Sequence, residues 1–255
     1  MSSPPLDHVL RPMLQKLELC APLDDLDREA FLSLPFRVQT VEPNIYVVRE
    51  GDRPDRSSLI VDGFVFRHKI TETGDRQIIS VHMTGDFIDL GGALLNIADH
   101  NLQTLTRCEM AFVPRDAVRD VITSRPALGM AMWVDTLIDA AIFGEWVVNV
   151  GQRPGPSRVA HLLCELGRRL EVAGLAKADG YRLPMTQEQL GNATGLTSIH
   201  VNRVLKKLTQ DGLISRSRRE ITIPDWEKLR ALAGFSETYL HLDQVARGRR
   251  ADRSL

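Results

Sequence analysis

Ser198, Ile199, Asn202, Arg203 and Lys206 recur at spacings that place them on one side of a helix. A hydroxyl, an amide, a guanidinium and an ammonium can hydrogen-bond the edges of nucleic-acid bases or their phosphates, and an aliphatic tip can touch a thymine methyl. A few residues further on, Arg216, Arg218 and Arg219 cluster in "LISRSRREITI". Residues arranged for catalysis are harder to find. The sequence contains no Walker A, GxSxG or HExxH pattern. A metal-binding barrel needs clustered ligands such as HxH followed by an acid, yet His68, His82 and His100 are scattered. The expected chemistry is therefore recognition, not reaction, and no metal site is expected.

The elements that must position these residues can be read around them. In "MTQEQLGNATGLTSIHVNRVLKKL", Thr186 is a good N-cap and Gln189 follows three residues later, as in a capping box. Gly191 is small where two helices must approach, Gly195 marks a turn, and Thr197 can cap a second helix. Leu190, Leu196, Val201, Val204 or Leu205, and Leu208 supply a buried face. The second helix would be about 18 Å long, which suits a major groove. A helical hairpin with a solvated face has the same local pattern. The arginines of the next hairpin and the charge balance favour the nucleic-acid reading. Residues 1–150 carry 14 basic and 22 acidic side chains, while residues 151–255 carry 18 and 11. An acidic front half with a net charge of −8 is joined to a basic back half of +7, so only the back half is suited to a polyanion.

Between residues 38 and 113 the chain reads as short strands: "IYVVRE", "SSLIVDG", "FVFRHKI", "QIISVHM", then "LQTLTRCEMAFV". Gly51, Gly63, Gly74 and Gly85 recur every 11 or 12 residues, as turns between strands require, and "ETGDR" is the clearest hairpin tip. Between the last two strand stretches, "LGGALLNIADHN" reads as a short helix and loop. Residues 115–124 read as a short helix ending before Pro126. A long helix follows over 126–150, in which Met130, Val134, Leu137, Ala141, Gly144 and Val148 alternate by four and three, the spacing of a helix-pairing seam. Three acids in this apolar stretch, Asp135, Asp139 and Glu145, argue against a membrane span. "GQRPGP" (151–156) breaks the helix.

The expected architecture is α+β. Residues 1–125 form an antiparallel, jelly-roll-like β-roll acting as a sensor, residues 126–150 a dimerisation helix, and residues 151–156 a hinge. Residues 157–235 form a winged helix-turn-helix, and residues 236–255 a charged tail. Cys20, Cys108 and Cys164 lie far apart with no CxxC, which fits reduced thiols rather than disulfides or a cysteine zinc site. The first ten residues lack the pattern of a secretory signal, so the expectation is cytoplasmic.

"TQEQLGNATGLTSIHVNRVLKKLTQDGLI" resembles the winged helix-turn-helix of the Crp/Fnr superfamily of bacterial transcription regulators. The order of parts agrees over roughly residues 15–233, strongly in the back half and more loosely in the front. The resemblance implies a homodimer on palindromic double-stranded DNA that also meets RNA polymerase. Base contacts would fall on Ser198, Ile199, Asn202 and Arg203, and phosphate contacts on Thr186, His200, Lys206, Arg216, Arg218 and Arg219. Arg203 keeps the family's arginine, suited to guanine. Many members carry glutamate where this chain has Ile199, so the operator should differ at that base. The family's nucleotide-binding members use a glutamate and an arginine after the turn that Gly85 resembles. Here Asp89, Leu90, Gly91 and Gly92 mark the possible effector pocket, with Asp89 near the glutamate position, but no lysine or arginine lies between Gly92 and Arg107. Cyclic AMP is therefore not expected. One N-terminal cysteine does not make an iron–sulfur site, and a lone strand histidine such as His82 does not make a haem site. Redox sensing at Cys108 or Cys164 is disfavoured by their apolar surroundings. The effector remains open. The alternative class is a sensing module that binds RNA or protein, although the basic half lacks the interleaved aromatics that single-strand binders use.

Overall fold

Leu59, Ala111 and Val113 point to one face of a sheet, while Ile60, Met110 and Phe112 point to the other, and all six are buried. A strand buried on both faces needs a covering layer on each side. The computed structural model describes residues 9–177 and 180–242 and shows both layers. One antiparallel sheet has the order β1 (Arg37–Val41), β8 (Cys108–Pro114), β3 (Arg56–Asp62), β6 (Phe87–Ile88). The second has the order β2 (Tyr46–Val48), β7 (Asn101–Thr104), β4 (Phe64–Ile70), β5 (Arg76–Met83). Between the sheets lie Val48, Ile60, Val65, Ile88, Leu102, Met110 and Phe112. The outer face of the first sheet is covered by α1 (Arg11–Cys20), α2 (Asp25–Leu32), α4 (Arg115–Ser124) and the start of α5 (Pro126–Gln152).

The glycine rhythm has its structural reason. Gly51, Gly63, Gly74 and Gly85 all have φ between +88° and +105°. At Gly63 the constraint is also steric, since a Cβ there would lie 2.7 Å from the Arg107 carbonyl oxygen. The short helix after Gly85 is α3 (Leu90–Leu94).

The described residues divide into two compact units, residues 9–68, 81–141 and 240–242 in one and residues 69–80, 142–177 and 180–239 in the other. The division falls inside α5, before the sequence's proline break. In the first unit, α5 buries Leu128, Ala131, Met132 and Asp135. Lys16 on α1 meets Asp135 at 2.8 Å and Asp86 at 2.9 Å. Burial of the half-buried Lys16 lowers its pKa, but these two carboxylates, with Asp139, more than reverse that effect and raise it. In the second unit, α5 buries Ile142, Trp146 and Asn149. Met130, Trp133, Leu137, Gly144, Val147 and Val148 are left exposed along its length. Of the expected seam, Val134 and Ala141 are half-buried, while Trp133, Phe143 and Val147 are additional exposed apolar residues. The open stripe is broader than a strict four-three seam. By length and composition α5 could cross a membrane, but Asp135 and Trp146 make polar contacts within the protein.

In the second unit, α6 (Gly155–Val172) is the central helix, burying Val159, Leu162, Leu163, Leu166 and Leu170. Its start corrects the expected hinge. Gly151 and Gln152 belong to α5, and Gly155 and Pro156 open α6, so the break narrows to Arg153 and Pro154. Proline at the first turn costs a helix nothing, because that N–H has no intrahelical partner. α6 is followed by β9 (Gly180–Arg182), α7 (Gln187–Thr194), α8 (Ser198–Gln210), the hairpin β10 (Ser215–Ser217) and β11 (Glu220–Thr222), and α9 (Trp226–Ala233). β9 completes a three-stranded sheet beside β11, whereas the sequence suggested only the hairpin. Of the expected tail, residues 243–255 lie outside the described residues. Thr238–Leu240 forms a 3-10 turn.

Candidate nucleic-acid interface

The helix pair is set by local chemistry. Thr186 and Gln189 make the reciprocal capping box, with Oγ1 accepting from the Gln189 N–H at 3.2 Å and Oε1 from the Thr186 N–H at 2.8 Å. Gly195 ends α7 at φ +65°. A Cβ on Gly191 would lie 2.4 Å from the Leu196 carbonyl oxygen, so only glycine permits this approach. Thr197 caps α8 by accepting the His200 N–H at 3.2 Å. Val201, Val204, Leu205 and Leu208 are buried, including both members of the 204/205 pair.

The opposite side of α8 presents Ser198, Ile199, Arg203 and Lys206, all exposed, with Ile199 73% exposed. Lys207, which the sequence reading did not single out, is also exposed and pairs with Asp211 at 3.0 Å. Two other candidates are engaged within the protein. Asn202 Nδ2 donates to Gln187 Oε1 at 2.9 Å, and the His200 ring lies against Gly155, where a Cβ would meet Nε2 at 3.0 Å. Thr186 is exposed with its hydroxyl used in the cap. At the β10–β11 tip, Arg218 and Arg219 are exposed and Arg216 is half-buried. Arg218 has φ +56°, a conformation that disfavours a side chain. The structure thus gathers four of the expected residues on one exposed helix side and two arginines on an adjacent hairpin of the same unit.

The front unit handles its polar groups differently. Asp89 is buried with φ +61° immediately before α3. Burial pushes its carboxyl up from the ordinary 3.8 to about 6, against the pull of Arg67. A Cβ on Gly92 would meet Asp89 Oδ2 at 3.0 Å, so the start of α3 faces this chain's own carboxyl group. His100 Nε2 is 3.9 Å from Asp89 Oδ1, and burial lowers its pKa. Leu90 is half-buried and Gly91 exposed. His82 is buried, and His68 is buried with rings of Tyr46 and Phe66 5.7 and 5.2 Å away. Cys108 and Cys164 are buried and Cys20 half-buried. Burial raises all three thiols, Cys20 to about 11 and Cys164 to about 12, so the nucleophilic thiolate is scarce at neutral pH. Among the described residues, no group of three His, Cys, Asp or Glu side chains is arranged to hold a metal ion.

A β-roll carried with a capped helix-turn-helix and a basic wing defines a class of DNA-binding regulator. Comparison with known proteins agrees on both parts. Residues 157–232 match the Crp-like helix-turn-helix domain and residues 38–125 the cyclic nucleotide-binding domain. The chain is 25% identical to the transcriptional activator protein FnrL of Cereibacter sphaeroides over 192 residues, 74% of this chain and 77% of that one. It is 26% identical to the fumarate and nitrate reduction regulatory protein of Salmonella typhimurium over 226 residues, 86% and 88% of the two chains. The solved structure of FixK2 from Bradyrhizobium japonicum shares the fold, with a TM-score of 0.72 at 22% identity, covering 80% of this chain and all of that one. The chain belongs to the Crp/Fnr superfamily of bacterial transcription regulators.

Proposed function

We propose that this regulator works in the cytoplasm as a homodimer on a palindromic operator. Each subunit lays α8 in the major groove of one half-site, with half-site centres about 34 Å apart. The exposed side of α8 carries this reading. Arg203 is available for bidentate contact with guanine, Ile199 for a thymine methyl, and Ser198 for either kind of base edge. Lys206, Arg218 and Arg219 anchor phosphates, with Thr186 and Arg216 beside them. Asn202 contacts bases through what its bond to Gln187 leaves available, and His200 is a phosphate contact only if its ring leaves Gly155. The exposed stripe of α5 supports pairing with a second copy, since a second α5 would cover it without placing the helix in lipid. The DNA-bound dimer meets RNA polymerase.

We further propose that an unidentified effector acts at the β-roll, around Asp89, Leu90, Gly91 and Gly92, and that cyclic AMP, an iron–sulfur cluster and haem are not used. The absence of any lysine or arginine between residues 93 and 106 supports the first exclusion, and the scattered cysteines support the second. Selection of binding sites from random duplex DNA by the purified full chain, at stated salt, tests the reading. The expected result is a palindrome whose half-site differs from the family's best-known one where Ile199 stands. Absence of enrichment, both alone and with cell extract supplying any effector, would overturn it.

A further inference from the structure

Glu165 on α6 is fully buried, with buried His161 one turn before it on the same helix. Three side chains converge on Glu165. Trp146 Nε1 of α5 donates to both oxygens, at 3.0 and 2.9 Å. The Tyr239 hydroxyl, from the 3-10 turn after α9, donates at 2.9 Å, and Arg169 approaches to 3.5 Å. A second junction lies alongside. The His161 ring of α6 stacks on Tyr239, with centroids 5.8 Å apart, and meets the edge of Phe235 at 5.3 Å. Its Nε2 is 3.2 Å from Oε1 of Glu145 on α5, the same oxygen that Arg153 holds from the α5–α6 connector. Asn149 Nδ2 donates to the Arg158 carbonyl, and Arg158 Nε donates back to the Arg153 carbonyl. The last turns of α5 are therefore bound to α6 by side chains on both sides of Arg153 and Pro154. Phe235 and Tyr239 come from beyond residue 232, where the match to the helix-turn-helix model ends.

A buried carboxylate is a costly way to gain stability, because an apolar residue of similar size would do as well or better. What it supplies is geometry: its oxygens accept only from donors in particular places. We propose that residues 234–239 form a latch, in which Tyr239 closes over Glu165 and Trp146 to fix the corner between the last turns of α5 and α6. The latch sets the separation at which two recognition helices reach DNA. This role rests on the operator reading above. One added base pair moves a half-site by about 3.4 Å along the axis and also rotates it. A braced corner cannot follow that change, whereas a released corner can.

The test uses full-length Tyr239→Phe, which removes one hydroxyl, and Glu165→Gln, which keeps the side chain's shape. Each is titrated against the selected operator and against versions with the spacer lengthened or shortened by one base pair. In parallel, amide hydrogen exchange is followed in the free proteins. Both variants should keep the half-site base preference of the wild type. They should also lose at least about threefold of its discrimination between spacers. Amides of residues 146–152 should exchange at least about tenfold faster, with those of α8 unchanged. Unchanged spacer discrimination together with unchanged exchange at 146–152 would overturn the latch, as would uniform acceleration across the whole unit, which marks simple destabilisation. If the wild type selects no DNA, the operator reading fails, and the exchange pattern alone decides the latch.

Discussion

In the front unit Lys16, Asp86 and Asp135 are paired within the chain, whereas on α8 and the wing Ser198, Arg203, Lys206, Arg218 and Arg219 stand exposed. A charged group that the fold has already satisfied serves the fold. A charged group left in water on an ordered helix remains available to a partner. Charged side chains therefore have opposite roles in the two units. Substitutions in the front unit should register as stability, and those on α8 and the wing as DNA affinity.

Lys16→Met tests the front half of this comparison most severely. It strands Asp135 without its cation and should lower unfolding stability by about 3 kcal/mol, with half-site preference unchanged. Adding Asp135→Asn should restore part of the loss, as chemical denaturation of the single and double variants would show. An altered base preference would break the comparison. At Asp89 the effect should have the opposite sign. The folded chain holds this proton up to about pH 6, while the unfolded chain loses it near 3.8. Folding therefore weakens as pH rises through that window and bears the full penalty above it. Asp89→Asn should stabilise the protein by about 1–3 kcal/mol at pH 7.5, and its advantage should shrink toward pH 4. Asparagine also tolerates the positive φ. Thermal melts at the two pH values check both points; a gain that is equal at both would place the cause elsewhere.

The smallest effect is expected at the wing. Arg218→Gly removes the proposed phosphate contact and relieves a backbone conformation that disfavours side chains. It should weaken all duplexes alike, lower the salt slope by about 1, and leave stability equal or slightly higher. Affinity measured against salt concentration, on specific and shuffled duplexes, separates this outcome from a loss of base reading.

Features that depend on near neighbours in sequence were legible without a structure. The Thr186–Gln189 capping box, the turn at Gly195, the buried face of α8 and the four positive-φ glycines each follow from residue type and short spacing. The β-roll was legible because its strands alternate with those glycines. Features made by distant residues were not. Nothing near Asn202 announces Gln187, and nothing near His200 announces Gly155. The hinge was over-read for the same reason: "GQRPGP" does hold a helix break, but Glu165 on the following helix is bonded by Trp146 and Tyr239, 19 and 74 residues from it in sequence. Glu165 alone left a trace, as an acid inside the apolar run "VAHLLCELG". Trp133, Phe143 and Val147 escaped because the four-three rule selects a seam narrower than the stripe left open.

The most direct test of the central claim is the affinity of Arg203→Ala for every single-base-pair variant of the selected half-site, beside the wild type. The α8 reading predicts a loss of about 1–3 kcal/mol on the best site and loss of preference at one base position only. A uniform loss across all variants, with every base preference retained, would make Arg203 an anchor and contradict α8 as the reader.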